Sequence, residues 1–343
     1  MHRPLAAAGI DVRMIAQQSE TRLAKLGVAC GSLLASVAGS ADVLITDMCT
    51  AGPLLAVWPA FVRERPVVIR LRADPWQTDD NERRRSRLSR LRPNGRRALR
   101  FFYERADALV PVSDFLAQRI RDETGIDGPK IETIREPIDL ERFAPVADRA
   151  AIKEKLGLNY EHILCIAFNF HYEDKVRGLE HFLPVLHALV EKHRDVAVAI
   201  AGDGPLHGGF LRDNERWLKH PRLIATGFVA GVEQIYQCSD VCAHFSFFDA
   251  APRALVEAWA CGLPVIVNDH PALTENLRDN EIGCVIDGVS DEALEVFERV
   301  IYSPELRAKM GANARAFAEK HHRRDHIGEQ YRRLFERLLA RGS

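Results

Sequence analysis

The chain has 343 residues, of which 47% are hydrophobic and 28% charged, with a formal net charge of -1. That length exceeds one ordinary core and divides naturally into two α/β domains; the apolar content excludes a disordered chain, and the balanced charge excludes a generic polyanion binder. No apolar run reaches the ~18 residues of a membrane-spanning helix and no basic segment with an apolar signal core opens the sequence, so the expected location is the cytoplasm.

Short apolar runs alternate with helix-length amphipathic segments almost from end to end, the pattern of βα repeats whose parallel sheets are covered on both faces. In the first half the runs predict strands at Asp11 to Ile15, Val43 to Thr46, Val67 to Leu71, Ala108 to Val112 and Ile131 to Ile134. In the second half they predict strands at Ile163 to Phe168, Val196 to Ala201, Leu223 to Thr226, Val241 to Phe245, Val265 to Val267 and Cys284 to Ile286. The expected domains are residues 1–147 and 148–322, followed by a C-terminal helix over 323–343. In that helix Ile327, Tyr331, Leu334, Phe335, Leu338 and Leu339 make one apolar face that has to pack on something.

Between Arg83 and Arg105 stand ten arginines interrupted by Leu88, Leu91, Leu99, Phe101 and Phe102. A basic helical stretch of this kind either rests on an anionic membrane surface or forms a solvated face offset by acids; no nucleic-acid module accompanies it, so nucleic acid is not an expected partner. The seven cysteines are scattered and read as reduced thiols. Cys238, Cys242 and His244 lie close together without a closing ligand set, and no metal is expected.

The most informative stretch runs from Phe245 to Asn268, FSFFDAAPRALVEAWACGLPVIVN. Pro252 suits the first turn of a helix, Gly262-Leu263-Pro264 ends it, and an apolar strand follows. Asp249 and Glu257 stand eight apart across the helix start. Their carboxylates accept hydrogen bonds from sugar hydroxyls, while unpaired amides at the helix start favour a polar or anionic ligand. Asp249 alone is also read as an N-terminal cap. Glu257 lies among apolar neighbours, where a carboxylate without a partner is costly.

Four segments resemble retaining glycosyltransferases of family 4. They are Ala106 to Pro145, with Glu136-Pro137-Ile138-Asp139 in place of the family's Pro-Asn-Gly-Val-Asp; Ala201-Gly202-Asp203-Gly204-Pro205; the stretch with Asp249 and Glu257; and Phe168 to Gly178, FNFHYEDKVRG. The resemblance implies an α/β protein of GT-B architecture, two Rossmann-like domains facing across a cleft, with the C-terminal helix packing back on the first. The first domain is expected to lack the family's usual first strand, since the chain starts near the following helix.

The resemblance further implies metal-independent, retaining transfer of a sugar from a nucleotide-diphosphate sugar to a hydroxyl of a glycan or lipid-linked acceptor, without a cofactor. Lys175 and Arg177 are the expected cations for the diphosphate, because Asn169 stands where the family has an arginine; a solvated charged loop is the other reading of the pair. Asp249, which replaces the family's first glutamate, joins them as a catalytic candidate. Gly204, Asp249, Ala250, Ala251, Pro252, Arg253, Glu257 and Glu275 are the expected donor-binding residues, with Glu257 on the ribose and Asp249 on the sugar. Glu275 also fits a surface helix position. Arg72 and Asp74, past the strand Val67 to Leu71, are the acceptor-side candidates by analogy, since open α/β sheets bind ligands at strand carboxyl ends. The alternatives are a catalytically silent sugar-nucleotide-binding or scaffold protein, and a GT-B sugar-nucleotide epimerase, which needs an acid and base pair around the sugar.

Overall fold

The computed structural model describes residues 42–47, 65–77 and 95–340. The chain divides into two units, residues 1–137 with 324–343, and residues 138–323. The expected strand at Asp11 to Ile15 and the arginines from Arg83 to Arg92 lie outside the described residues.

In the first unit β1 (Leu44–Asp47), β2 (Val67–Leu71) and β3 (Ala108–Pro111) form a parallel sheet in that order, flanked by α1 (Gly95–Arg105) and α2 (Asp114–Thr124). Ser113 caps α2 by accepting from the Leu116 amide, and Gly125 closes it in the left-handed conformation. The strand expected at Ile131 to Ile134 is reduced to one bridge, Leu109 to Ile131. The segment follows β3 through Leu109 N to Lys130 O, Glu132 N to Leu109 O and Ile134 N to Pro111 O. Pro111 has no N–H to donate in return, so the ladder stops there.

In the second unit the elements are α3 (Arg149–Leu156), β4 (His162–Ala167), α4 (Glu173–Lys192), β5 (Val196–Ala201), α5 (His207–Asp213), α6 (Glu215–Leu218), β6 (Leu223–Gly227), α7 (Val232–Cys238), β7 (Val241–His244), α8 (Arg253–Ala260), β8 (Val265–Asn268), α9 (Pro271–Thr274), α10 (Leu277–Asn280), β9 (Gly283–Ile286), α11 (Asp291–Tyr302) and α12 (Pro304–His321). Its strands run parallel in the order β6-β5-β4-β7-β8-β9. Successive residues of β4 alternate between two cores: Ile163, Cys165 and Ala167 face one, Leu164 and Ile166 the other. This two-sided burial is why the strand reads as an unbroken apolar run. The second unit begins earlier than the sequence-based boundary of 148, because Ile138 and Phe143 pack in its core and the Ile138 amide donates to His322 O.

The last helix, α13 (Arg324–Leu339), returns to the first unit, as its apolar face requires. Ile327, Tyr331, Leu334, Phe335 and Leu338 are buried against Val68, Ala108, Val110 and Ile134. Each such side chain contributes on the order of 2 kcal/mol by leaving water.

The order of the second sheet reverses between β4 and β7, the place where open α/β sheets bind ligands at the strand carboxyl ends. Glycines bring the neighbouring backbone close to it. A Cβ on Gly178 would stand 2.6 Å from Ser246 Cα, and one on Gly202, whose φ is 148°, would stand 1.7 Å from Phe168 O. Gly202→Ala is therefore expected to destabilise the protein by about 3 kcal/mol, combining backbone strain with overpacking. Chemical denaturation checks this; wild-type stability in the variant would contradict the close approach.

Candidate functional site at the strand reversal

Three side chains converge at this strand reversal. Asp249, in the loop after β7, is 6% exposed. Its Oδ2 accepts from Lys175 Nζ at 2.8 Å and lies 3.2 Å from His244 Nε2, and its Oδ1 accepts from the Ala250 amide at 3.0 Å. Lys175 comes from the first turn of α4, whereas His244 is the last residue of β7. Burial alone pushes the Asp249 carboxyl up, but the charge of Lys175 and the hydrogen bond and charge of His244 outweigh burial and hold it well below the usual carboxylate range.

Glu257, one turn into α8, has the opposite electrostatics. Burial raises its carboxyl above the ordinary value, and only partly do Arg253 and Tyr236 counter this. Arg253 Nε donates to Oε1 at 3.0 Å and the Tyr236 hydroxyl donates to Oε2 at 3.1 Å. No side chain caps α4 or α8, the two helices that start over the reversal, whereas serines cap α2, α11 and α12. Helix starts of this kind carry partial positive charge, although α5, α6 and α7 also lack a side-chain cap and the first turn of α4 carries Glu173 and Asp174.

The remaining expected donor residues lie on loops and helix ends of the second unit. Ala250, Ala251 and Pro252 link Asp249 to α8, with Ala250 and Pro252 buried. Gly204, at φ 154°, lies against the loop after β4, where a Cβ would stand 2.7 Å from Phe170 O and 2.9 Å from His171 Nδ1. Glu275 follows α9 and lines a hollow of about 360 Å³ with Asp269, Thr274 and Asp279.

Arg177 is not brought to the Lys175–Asp249 pair. The segment expected to be a loop is helical from Glu173, and residues two apart on a helix point to different faces. Arg177 is 72% exposed, lies 3.6 Å from Asp174 and lines a groove with Glu180, His181, Trp217 and Phe247.

In the first unit Arg72 Nε bonds Glu136 at 2.9 Å and its Nη1 stands 3.9 Å from Asp47. Asp74 is turned inward: its Oδ1 accepts from the amides of Trp76 and Gln77, and its Oδ2 from Arg119. Two functional-looking side chains were not expected at the site: His244 was weighed only as a metal ligand beside Cys238 and Cys242, and Arg70 was not singled out. His244 differs from its strand neighbours only as a histidine closing an apolar run, and Arg70, 3% exposed, sits inside β2 paired with Asp47 and Glu136. An arginine within VVIRL was the available signal for the second. Among the described residues no group of three or more His, Cys, Asp or Glu side chains is arranged to hold a metal ion.

Two units with parallel Rossmann-like sheets and a charged site at the strand reversal define the GT-B class. HepE of Anabaena, solved with UDP and glucose, matches with a TM-score of 0.72 at 18% identity over 98% of this chain and 88% of that one. WaaG, a glycosyltransferase involved in lipopolysaccharide biosynthesis, matches with a TM-score of 0.69 at 17% identity over 93% and 85%. Residues 31–142 match the model of glycosyltransferase family 4 and residues 149–317 that of glycosyl transferases group 1. The chain belongs to the group 1 glycosyltransferases of family 4. Among curated relatives, the N-acetyl-alpha-D-glucosaminyl L-malate synthase of Bacillus anthracis is 25% identical over 253 residues, 72% of this chain and 64% of that protein. The D-inositol 3-phosphate glycosyltransferase of Mycobacterium sp. (strain KMS) is 26% identical over 200 residues, 54% of this chain and 42% of that protein. The chain thus spans about two fifths to two thirds of the length of these relatives.

The opposed electrostatics set a test of stability against pH. Asp249 has a depressed folded value, so its contribution is complete above the unfolded carboxyl value of about 3.9 and is lost as pH falls through the folded one. Asp249→Asn is expected to cost about 3 kcal/mol at pH 7, the low end for breaking a buried pair. The difference from wild type should narrow only in strong acid. Denaturant titrations at pH 7, 4 and 3 check this; equal stability of variant and wild type at pH 7 would contradict it.

Proposed function

We propose that the chain transfers a sugar, with retention at the anomeric carbon and without a metal, from a nucleoside-diphosphate sugar to a hydroxyl of a glycan or lipid-linked acceptor. The observation that carries this reading is the meeting of Lys175, Asp249 and an uncapped helix start at the carboxyl ends of β4 and β7. The UDP in HepE and the glycosyltransferase name of the Mycobacterium relative support it.

The chemistry follows from charge. Glycosyl transfer passes through an oxocarbenium-like state while negative charge grows on the departing diphosphate. Lys175 and the first amides of α4 and α8 supply the complementary positive potential, and Asp249 accepts from sugar hydroxyls beside it. Glu257, fixed by Arg253 and Tyr236, accepts from the ribose hydroxyls. Arg72 serves the acceptor side. Exclusion of water from the donor limits competing hydrolysis.

The acceptor reading includes an anionic membrane surface on the cytoplasmic side, approached through the arginines of residues 83–105. On α1, Arg96 and Arg100 are partly neutralised by Glu123 and Glu104, which leaves electrostatic attraction weak and salt-sensitive.

Glu257→Gln keeps the shape but loses the charged acceptor, so donor affinity by calorimetry is expected to fall about tenfold, the loss of one charge-assisted hydrogen bond. The folded protein is expected to remain within about 1 kcal/mol of wild type, because removing a carboxylate that burial disfavours offsets its lost bonds. Unchanged donor affinity in a folded variant would contradict the ribose assignment. Incubation with sugar nucleotides distinguishes the silent binding protein, which binds donor yet releases no nucleoside diphosphate.

A further inference from the structure

We infer that His244 is a positioning residue for Asp249, holding the carboxylate in place when the donor diphosphate draws Lys175 away from it. The inference rests on the sugar-nucleotide reading above and adds a residue to that site.

A single oxygen, Asp249 Oδ2, takes both Lys175 Nζ and His244 Nε2, at 2.8 and 3.2 Å. The two partners are built differently. Lys175 hangs on a flexible stem from the first turn of α4, is 20% exposed in its side chain, and has an ammonium that can turn toward another anion. His244 has a rigid ring 4% exposed at the end of a central strand, with Phe168 beside it at 6.4 Å between ring centroids. A diphosphate over the start of α4 competes with Asp249 for Lys175, and a carboxylate this deeply buried cannot remain charged without a donor. The Ala250 amide still serves Oδ1, and on Oδ2, the oxygen that loses Lys175, the histidine stays behind.

The ring itself points to this duty. Its Nε2 faces Asp249, while its Nδ1 is buried without a hydrogen-bond partner among the described residues. A histidine present only for packing gains nothing from leaving one nitrogen orphaned, since an apolar ring fills the same space without that cost. The bond to Asp249 is what offsets it. Lys175 from α4 and Asp249 from the loop after β7 are the charged groups recorded against the ring and its partner. The proton therefore has to reside on Nε2, in the neutral tautomer or in the imidazolium.

Two variants separate positioning from packing. His244→Phe keeps the ring volume without a donor, and His244→Gln restores an N–H near the place of Nε2. Calorimetry with UDP, GDP and their sugar conjugates is expected to show His244→Phe within threefold of wild type for the nucleoside diphosphate yet at least tenfold weaker for the sugar nucleotide, with His244→Gln recovering most of the loss. Equal weakening of both ligands in His244→Phe, or no recovery in a folded His244→Gln, would overturn the proposal. Ring 15N spectra of the ligand-free wild type give a second reading that needs no donor. They are expected to show Nε2 protonated and the ring resonances moved by Asp249→Asn; a ring protonated on Nδ1 alone would overturn the proposal. If no nucleotide binds the wild type while the spectra show a protonated Nε2 coupled to Asp249, the donor reading fails and His244 still holds the carboxylate.

Discussion

The burial of one negative charge, that of Asp249, organises the second unit. A carboxylate removed from water at the carboxyl end of a parallel sheet has to be paired, and both partners come from elements that the strand reversal brings together. Lys175 reaches it because α4 starts over β4, and α4 lies close to the β7 loop because Gly178 has no side chain to meet Ser246. Gly202 and Gly204 let the loop after β5 lie against the loop after β4 in the same way. Glycine, helix start and ion pair are parts of one arrangement.

Its two carboxylates are held in opposite electrostatic states. Asp249 has two cationic or donor partners on one oxygen and is kept ionised. Glu257 is less deeply buried than Asp249, but its partners are a neutral hydroxyl and an exposed arginine, so burial dominates and its charge is costly. The first is suited to remain charged beside a diphosphate-bearing ligand. In the proposed function the second accepts further hydrogen bonds from ligand hydroxyls, beside those from Arg253 and Tyr236.

Much of the fold was legible in the sequence because its strands are buried on both faces and its helices carry a one-sided apolar stripe. The runs at Ile163, Val196, Val241 and Val265 each became a strand, and the stripe ending at Leu338 packs on the first sheet. Local chemistry was less legible. Ile131 to Ile134 had the composition of a strand, but Pro111 on its neighbour ends the ladder. Arg177 was expected beside Lys175 on the assumption of a loop, and the helical start at Glu173 turns it to another face. His244 and Arg70 looked like single exceptions within apolar strands; only the register and the loops above show what each of them faces. Periodicity reveals which residues are buried, whereas pairing across loops depends on tertiary contacts.

The proposed donor site at the strand reversal is tested most directly by the melting temperature of the purified chain in the presence of UDP, GDP and their common sugar conjugates. A ligand that binds only the folded state at a hundred times its dissociation constant adds about 2.7 kcal/mol. The account expects at least one nucleoside diphosphate to raise the melting temperature by several degrees and to saturate at micromolar concentration. A well-folded sample whose melting temperature none of them shifts at millimolar concentration would contradict it.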